Sequence, residues 1–133
     1  MTQLRVSDAA ALLGVSDDTV RRLIERGELD ASASDGPQLV DGASLASLAV
    51  ERAKAAPDRS PVLSSARNHF VGIVTNVQID GVMAQIDLQA GPHRVVSLIS
   101  AEAARELGLE VGSLATAVVK ATNVSVETLK ETR

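Results

Sequence analysis

The chain has no cysteine, no tryptophan and no tyrosine, and its single aromatic residue outside histidine is Phe70. The lack of cysteine removes disulfides, thiolate metal sites and cysteine nucleophiles together, and it suits a cytoplasmic location. The lack of stacking aromatics argues against a β-barrel that grips nucleic acid by base stacking. No apolar run is long enough to span a bilayer, so no membrane partner is expected. The N-terminus has no basic segment followed by an apolar one, so no secretory signal is expected. There is no nucleophile–base pair, no phosphate-cradling glycine loop and no metal cluster, so the expectation is a non-enzyme without a metal ion. His69 and His93 read as structural or exposed, because no carboxylate or second histidine stands at metal-ligand spacing. Positive charge is also scarce. The net charge is −4, and residues 1–56 carry six Lys/Arg (Arg5, Arg21, Arg22, Arg26, Arg52, Lys54) against nine Asp/Glu. That balance does not favour binding to a phosphate backbone.

What is present falls into two regimes. Residues 4–55 show helical periodicity and dense charge, whereas residues 67–126 alternate with strand periodicity. Between them, Ala55-Ala56-Pro57-Asp58-Arg59-Ser60-Pro61 has two prolines and no apolar pattern, which reads as a linker. The expected organisation is therefore a head over 1–55, a linker over 56–63 and a β-domain over 64–133. Each part is small, and their cores rest on Val, Leu, Ile and Ala, so oligomerisation is expected to bury more surface.

In the head, Val6, Ala9, Ala10 and Leu13 share one helical face, with Ser7 as the expected cap and Gly14 as a left-handed stop. Ser16 caps a second helix with Asp17 and Asp18 in its first turn, and Val20, Leu23 and Ile24 form its buried stripe up to Gly27. Ser34-Asp35-Gly36-Pro37 is a turn signal within a short hairpin or wing. Asp41 caps a third helix with Leu45, Leu48 and Ala49 inward.

This helix–Gly14-Val15-Ser16–helix spacing, from Leu4 to Leu29, resembles the MerR/excisionase type of winged helix-turn-helix. The likeness covers most of residues 4–50. It implies that the second helix presents its N-terminal part to the major groove of double-stranded DNA. The candidate DNA-binding residues are Ser16, Thr19, Arg21, Arg22 and Arg26. The arginines can read guanine or clamp phosphate; equally, they can pair with Asp17, Asp18 and Glu25 of their own helix. The wing departs from the family's habit, because Ala31 to Gln38 has no basic residue.

In the β-domain, Val71, Ile73, Thr75, Val77 and Ile79 alternate against Asn76, Gln78 and Asp80. Asp80-Gly81 turns the chain into Val82, Ala84, Ile86 and Leu88, which alternate against Met83, Gln85, Asp87 and Gln89. Gly91-Pro92 precedes a third strand from Arg94 to Ile99. Ser100 caps a helix from Ala101 to Leu107, ended by Gly108, and Leu114–Lys120 and Val124–Val126 form a last strand pair. The fold class expected is α+β: a small winged helix-turn-helix plus a closed β-barrel of the OB type with one short helix.

Two segments flank this barrel with hydroxyls, backbone N–H groups and cations: Ser65-Ala66-Arg67-Asn68 and Lys120-Ala121-Thr122. A tetrahedral oxyanion has acceptors only, so a site for it needs donors. These segments, with Ser97-Leu98-Ile99-Ser100 and the Leu107-Gly108-Leu109 to Gly112 step, resemble the molybdate-binding Mop/TOBE family over roughly residues 63–127. The family includes molbindins and the ligand domain of molybdate-responsive repressors. The resemblance implies an OB-like fold, strand exchange in a homodimer that in some members grows to a hexamer, and oxyanion sites at subunit interfaces. It places Ser65, Arg67 and Asn68 in the first binding segment, and Lys120, Ala121 and Thr122 in the second. Ser97 and Ser100 fall in a third, contributed by a neighbouring subunit. The expected ligand is molybdate or tungstate, with no organic cofactor. The expected function is a molybdate-responsive DNA-binding regulator. The alternative is a cytoplasmic molybdate-binding or storage protein whose head serves assembly.

Overall fold

The computed structural model describes residues 2–32, 36–58 and 62–129. The chain divides into two units, Met1–Lys54 and Ala55–Arg133.

In the first unit, strand β1 (Gln3–Arg5) runs straight into helix α1 (Val6–Leu13). Sequence periodicity does not reveal β1, which pairs antiparallel with β2 (Leu39–Asp41). That pairing holds Arg5 extended, opposite Leu39, so Arg5 is the N-cap of α1 and Ser7, expected as the cap, lies inside the helix. Gly14 has φ 70° and closes α1 as expected, with its N–H directed to Ala10 and Ala11 carbonyls. Ser16 Oγ accepts from Thr19 N–H at 3.2 Å and starts α2 (Asp17–Glu25). Asp41 accepts from Ser44 N–H at 3.0 Å and starts α3 (Gly42–Arg52). Ala9, Ala10, Val20, Leu23, Leu29, Val40, Leu45 and Leu48 make one core. Ala49, expected inside, is exposed: Leu45 and Leu48 already fill the contact, and the next position turns toward solvent. The two arms of the expected hairpin meet where Ala31 bridges Val40 and Ser32 N–H donates to Leu39 carbonyl at 2.8 Å. The turn expected at Ser34–Pro37 lies partly outside the described residues.

The second unit is built on a long strand, β3 (Asn68–Asp80). Its first half pairs with β6 (Leu114–Val119) and its second half with β4 (Met83–Ala90), which in turn pairs with β5 (His93–Ser100). The order is β5-β4-β3-β6, all antiparallel. A short helix, α4 (Ala101–Glu106), follows β5, with Ser100 Oγ accepting from Ala103 N–H at 3.0 Å. Both hairpins turn at the expected glycines, Gly81 (φ 60°) and Gly91 (φ 58°).

The alternation expected along β3 fails at one point. A bulge at Thr75 puts Val74 opposite Leu88 but Asn76 opposite Asp87. One extra residue reverses the parity of the strand. Val74 is therefore buried, and Val77 packs beside it after the bulge, while Ile73, Thr75 and Ile79 face outward. Val82, expected on the inner face, is a turn residue and exposed. At Gly72, β4 crosses so closely that an added Cβ would lie 2.6 Å from Gln89 carbonyl oxygen.

The result is a curled antiparallel half-barrel within an α+β chain. It is not the closed barrel expected, because among the described residues no ladder joins β5 to β6. Val124–Val126, expected as a strand, follows a single 3₁₀ turn (Ala121–Asn123) and pairs with no described strand. Among the described residues, no helix is long and apolar enough to cross a membrane.

Asp87, expected on the polar face, is buried. Arg94 reaches it with Nε at 3.0 Å and Nη2 at 2.7 Å, and Gln85 Nε2 donates at 3.0 Å. The hydrogen bond from Gln85, and then that from Arg94, hold its carboxyl below the usual carboxylate range against the opposing effect of burial.

Two outcomes follow. Gly72→Ala forces backbone apart and lowers stability by about 2 kcal/mol, roughly a 10 °C fall in thermal midpoint, read by circular dichroism at 222 nm as a function of temperature. Because the folded-state pKa of Asp87 is depressed, its stabilisation is complete above the unfolded value of about 3.9 and fades as pH falls through and below it. Asp87→Asn should therefore unfold earlier than the wild type at neutral pH and show a flatter loss of midpoint below about pH 4.

Candidate functional site

The β3–β6 ladder carries the two donor-bearing segments to one place. Asn68 opens β3 and sits opposite Val119, the last residue of β6, and Asn68 Nδ2 donates to Val119 carbonyl at 3.2 Å. Arg67 directly precedes this pair and Lys120 directly follows it. Beyond Lys120 the chain turns through Ala121–Asn123. On the other side, Ser64 Oγ accepts from Ala66 N–H at 3.1 Å, and Ala66 is buried, so the loop before β3 has a fixed path. Among the described residues, the Ser65 and Thr122 hydroxyls, the Arg67 guanidinium and the Lys120 ammonium have no hydrogen-bond or ion-pair partner. The junction thus gathers donors and two cations, which is chemistry suited to a small anion.

Ser97 and Ser100 lie elsewhere within one chain. Both belong to β5, at the edge of the sheet opposite β6; Ser97 faces Ile86 and Ser100 faces Met83 across the β4 ladder. Ser97 lines a hollow of about 450 Å³ whose other wall includes Val118 and Val119. Ser100 Oγ is engaged as the cap of α4.

In the head, Ser16 Oγ lies 2.9 Å from Thr19 Oγ1, so both hydroxyls serve the helix start. Arg21 Nη1 pairs with Asp18 Oδ1 at 3.1 Å, although both side chains remain over half exposed. Arg22 and Arg26 are exposed and, among the described residues, pair with no carboxylate. Arg5, which the sequence reading passed over, joins Arg21, Ser7, Asp17, Pro37 and Gln38 around a hollow of about 350 Å³ at the start of α2. The missed signal was β1: only its pairing with β2 brings Arg5 beside the hairpin.

Two contacts at the β-domain loop escaped the sequence reading. Ser64 was visible in the motif but its role as an acceptor for Ala66 was not. His69 is neither buried in a core nor idle: its Nε2 lies 3.0 Å from Ala66 carbonyl oxygen and its Nδ1 lies 3.5 Å from Asp58 Oδ2. Asp58 stands well upstream of His69 in the chain, so no local spacing pattern marks the pair. Among the described residues, no group of His, Asp and Glu could hold a metal ion.

Comparison with known proteins bears on both units. Residues 64–126 match the TOBE domain model, and residues 4–45 match a helix-turn-helix domain model. Molybdenum-pterin-binding protein 2 of Clostridium pasteurianum is 40% identical over 63 residues, which is 47% of this chain and 93% of that protein. A probable molybdenum-pterin-binding protein of Haemophilus influenzae is 41% identical over 63 residues, 47% of this chain and 91% of that protein. A molybdate binding protein from Sporomusa ovata is 30% identical in its solved structure, covering 50% of this chain and 100% of that one, with a TM-score of 0.49. With relatives at this identity spanned almost end to end, the chain belongs to the TOBE-domain family of molybdenum-pterin-binding proteins, and it carries a helix-turn-helix domain ahead of that domain.

Proposed function

We propose that this chain is a cytoplasmic molybdate-responsive regulator that binds the oxyanion at the β3–β6 junction and DNA through its head. The observation that carries the ligand half is the Asn68–Val119 pairing, which brings Arg67 and Lys120 to the same end of the β3–β6 ladder. Molybdate and tungstate are dianions with acceptors alone, so unpartnered hydroxyls, N–H groups and cations complement them. The bonding groups are Ser65, Arg67 and Asn68 from one segment and Lys120, Ala121 and Thr122 from the other. Ser97 and Ser100 complete the shell from a neighbouring copy, in a homodimer or a hexamer. The names of the relatives support the ligand class.

The DNA half rests on the helix-turn-helix match and on Arg22 and Arg26, which remain free for phosphate or guanine among the described residues. Arg21 is restrained by Asp18. That pair, with the acidic balance of the head, favours a second reading, in which the protein binds or stores molybdate and the head serves assembly.

Calorimetric titration with molybdate against excess sulfate tests the ligand half. The expected result is saturable binding that sulfate does not displace; equal response to sulfate defeats it. Lys120→Ala removes one charge-assisted donor and should weaken molybdate about 10- to 100-fold, with the thermal midpoint retained. For DNA, Arg22→Ala should weaken operator binding measured by fluorescence anisotropy of labelled duplex, with the slope against log salt reduced by about one if the contact is to phosphate. Retained molybdate binding with no DNA binding by the wild type selects the storage reading.

A further inference from the structure

The ring of His69 bridges two parts of the second unit that the oxyanion reading treats separately. On one side it meets Ala66 carbonyl oxygen, 3.0 Å from Nε2; on the other, Asp58 Oδ2, 3.5 Å from Nδ1. Ala66 oxygen can only accept, so Nε2 carries a hydrogen. Asp58 Oδ2 faces the other ring nitrogen. Beside this contact, Ala56, Pro57 and Asp58 line a hollow of about 550 Å³ together with Val71, Leu114 and Thr116 of the β3–β6 ladder.

The Ala66 carbonyl belongs to the peptide unit that ends in Arg67 N–H. A trans peptide is planar, so its C=O and N–H point in opposite directions, and fixing one fixes the other. The preceding peptide is fixed as well, because Ala66 N–H donates to Ser64 Oγ. The loop is thus pinned at two consecutive peptides, one by Ser64 and the other by His69.

We propose that His69 is a positioning residue for the oxyanion loop, aiming Arg67 N–H, and that Asp58 makes this aim depend on the linker. The inference rests on the oxyanion reading and adds its regulation: whatever holds Asp58 against His69 strengthens binding, and bound oxyanion holds Asp58 in return, since coupling is reciprocal. Other ionisable groups near in register are Arg67, just ahead of β3, and Lys120, past Val118, the partner of His69.

The test uses the full chain and sodium molybdate, with Kd from calorimetry and folding checked by thermal unfolding. His69→Ala should weaken binding about tenfold, the loss of one oriented hydrogen bond. His69→Gln, whose amide nitrogen can reach the same carbonyl, should recover to within about threefold of wild type. Asp58→Ala should weaken binding a few-fold, and the double variant Asp58→Ala/His69→Ala should be no weaker than His69→Ala alone, as for residues acting in series. Wild-type affinity in His69→Ala, no recovery in His69→Gln, or additive effects in the double variant would each overturn the proposal. If the wild type binds no molybdate, the oxyanion reading has failed. The relay is then judged by the Arg67 amide resonance in ¹H–¹⁵N spectra: it stands as a loop device if Asp58→Ala moves that resonance, and falls if the resonance stays in place.

Discussion

A single strand has to pair with two neighbours on opposite edges, and the rest of the β-domain depends on how it does so. From Asn68 to Ile73, β3 pairs with β6; from Ile73 to Asp80, it pairs with β4. A straight strand could not turn Val74 and Val77 to the same core, because their parities differ. The extra residue at Thr75 resolves this, and Thr75 Oγ1 bonds Asp87 carbonyl at 3.3 Å across the bulge. Gly72, just before it, lets the end of β4 cross close above the strand. Bulge and glycine together curl the sheet. The same strand then delivers Asn68 to Val119, and so the two donor segments to one another.

How much of this was legible in the residues follows from which interactions are local. Caps at Ser16, Asp41 and Ser100, and turns at Gly14, Gly81 and Gly91, depend on neighbours within a few residues, and all were readable. Parity along β3 was not, because alternation alone carries no mark of a bulge; the odd-numbered Val71, Ile73, Val77 and Ile79 read as one face although Thr75 divides them. β1 was missed for a related reason: three residues have no periodicity, and their conformation is set by Leu39–Asp41 far along the chain. At the candidate site, the donor residues were legible as motifs, while their supports were not. Ser64 resembles any loop serine, and Asp58, the partner of His69, stands well upstream of it in the chain.

The head shows local and long-range electrostatics pulling apart. Asp17 and Asp18 favour the start of α2 through the helix dipole, and Asp18 draws Arg21 to itself at 3.1 Å. An exposed pair of this kind is worth little to stability, so a phosphate can displace it at small cost. What the acidic residues oppose is the long-range approach of a polyanion. A head of this composition gains more from being presented in pairs than a basic one does, because doubling the contacts raises the effective affinity without changing any single contact.

Donors left open to water cost nothing by being unpaired; the difficulty lies in holding them in one geometry before an anion arrives. Preorganisation is what separates a binding site from a collection of polar side chains. Here the peptides on both sides of Ala66 are already pinned, one by Ser64 and one by His69. The Ser64 contact is internal to the loop and is always available. The His69 contact has a second end at Asp58, ahead of the loop. Under the proposed reading, then, one half of the loop's order is fixed by the β-domain itself and the other half is open to influence from the segment that leads to the head. A fixed loop could bind equally well in a protein with no second domain. A loop that shares a histidine with the linker has a physical reason to be attached to one.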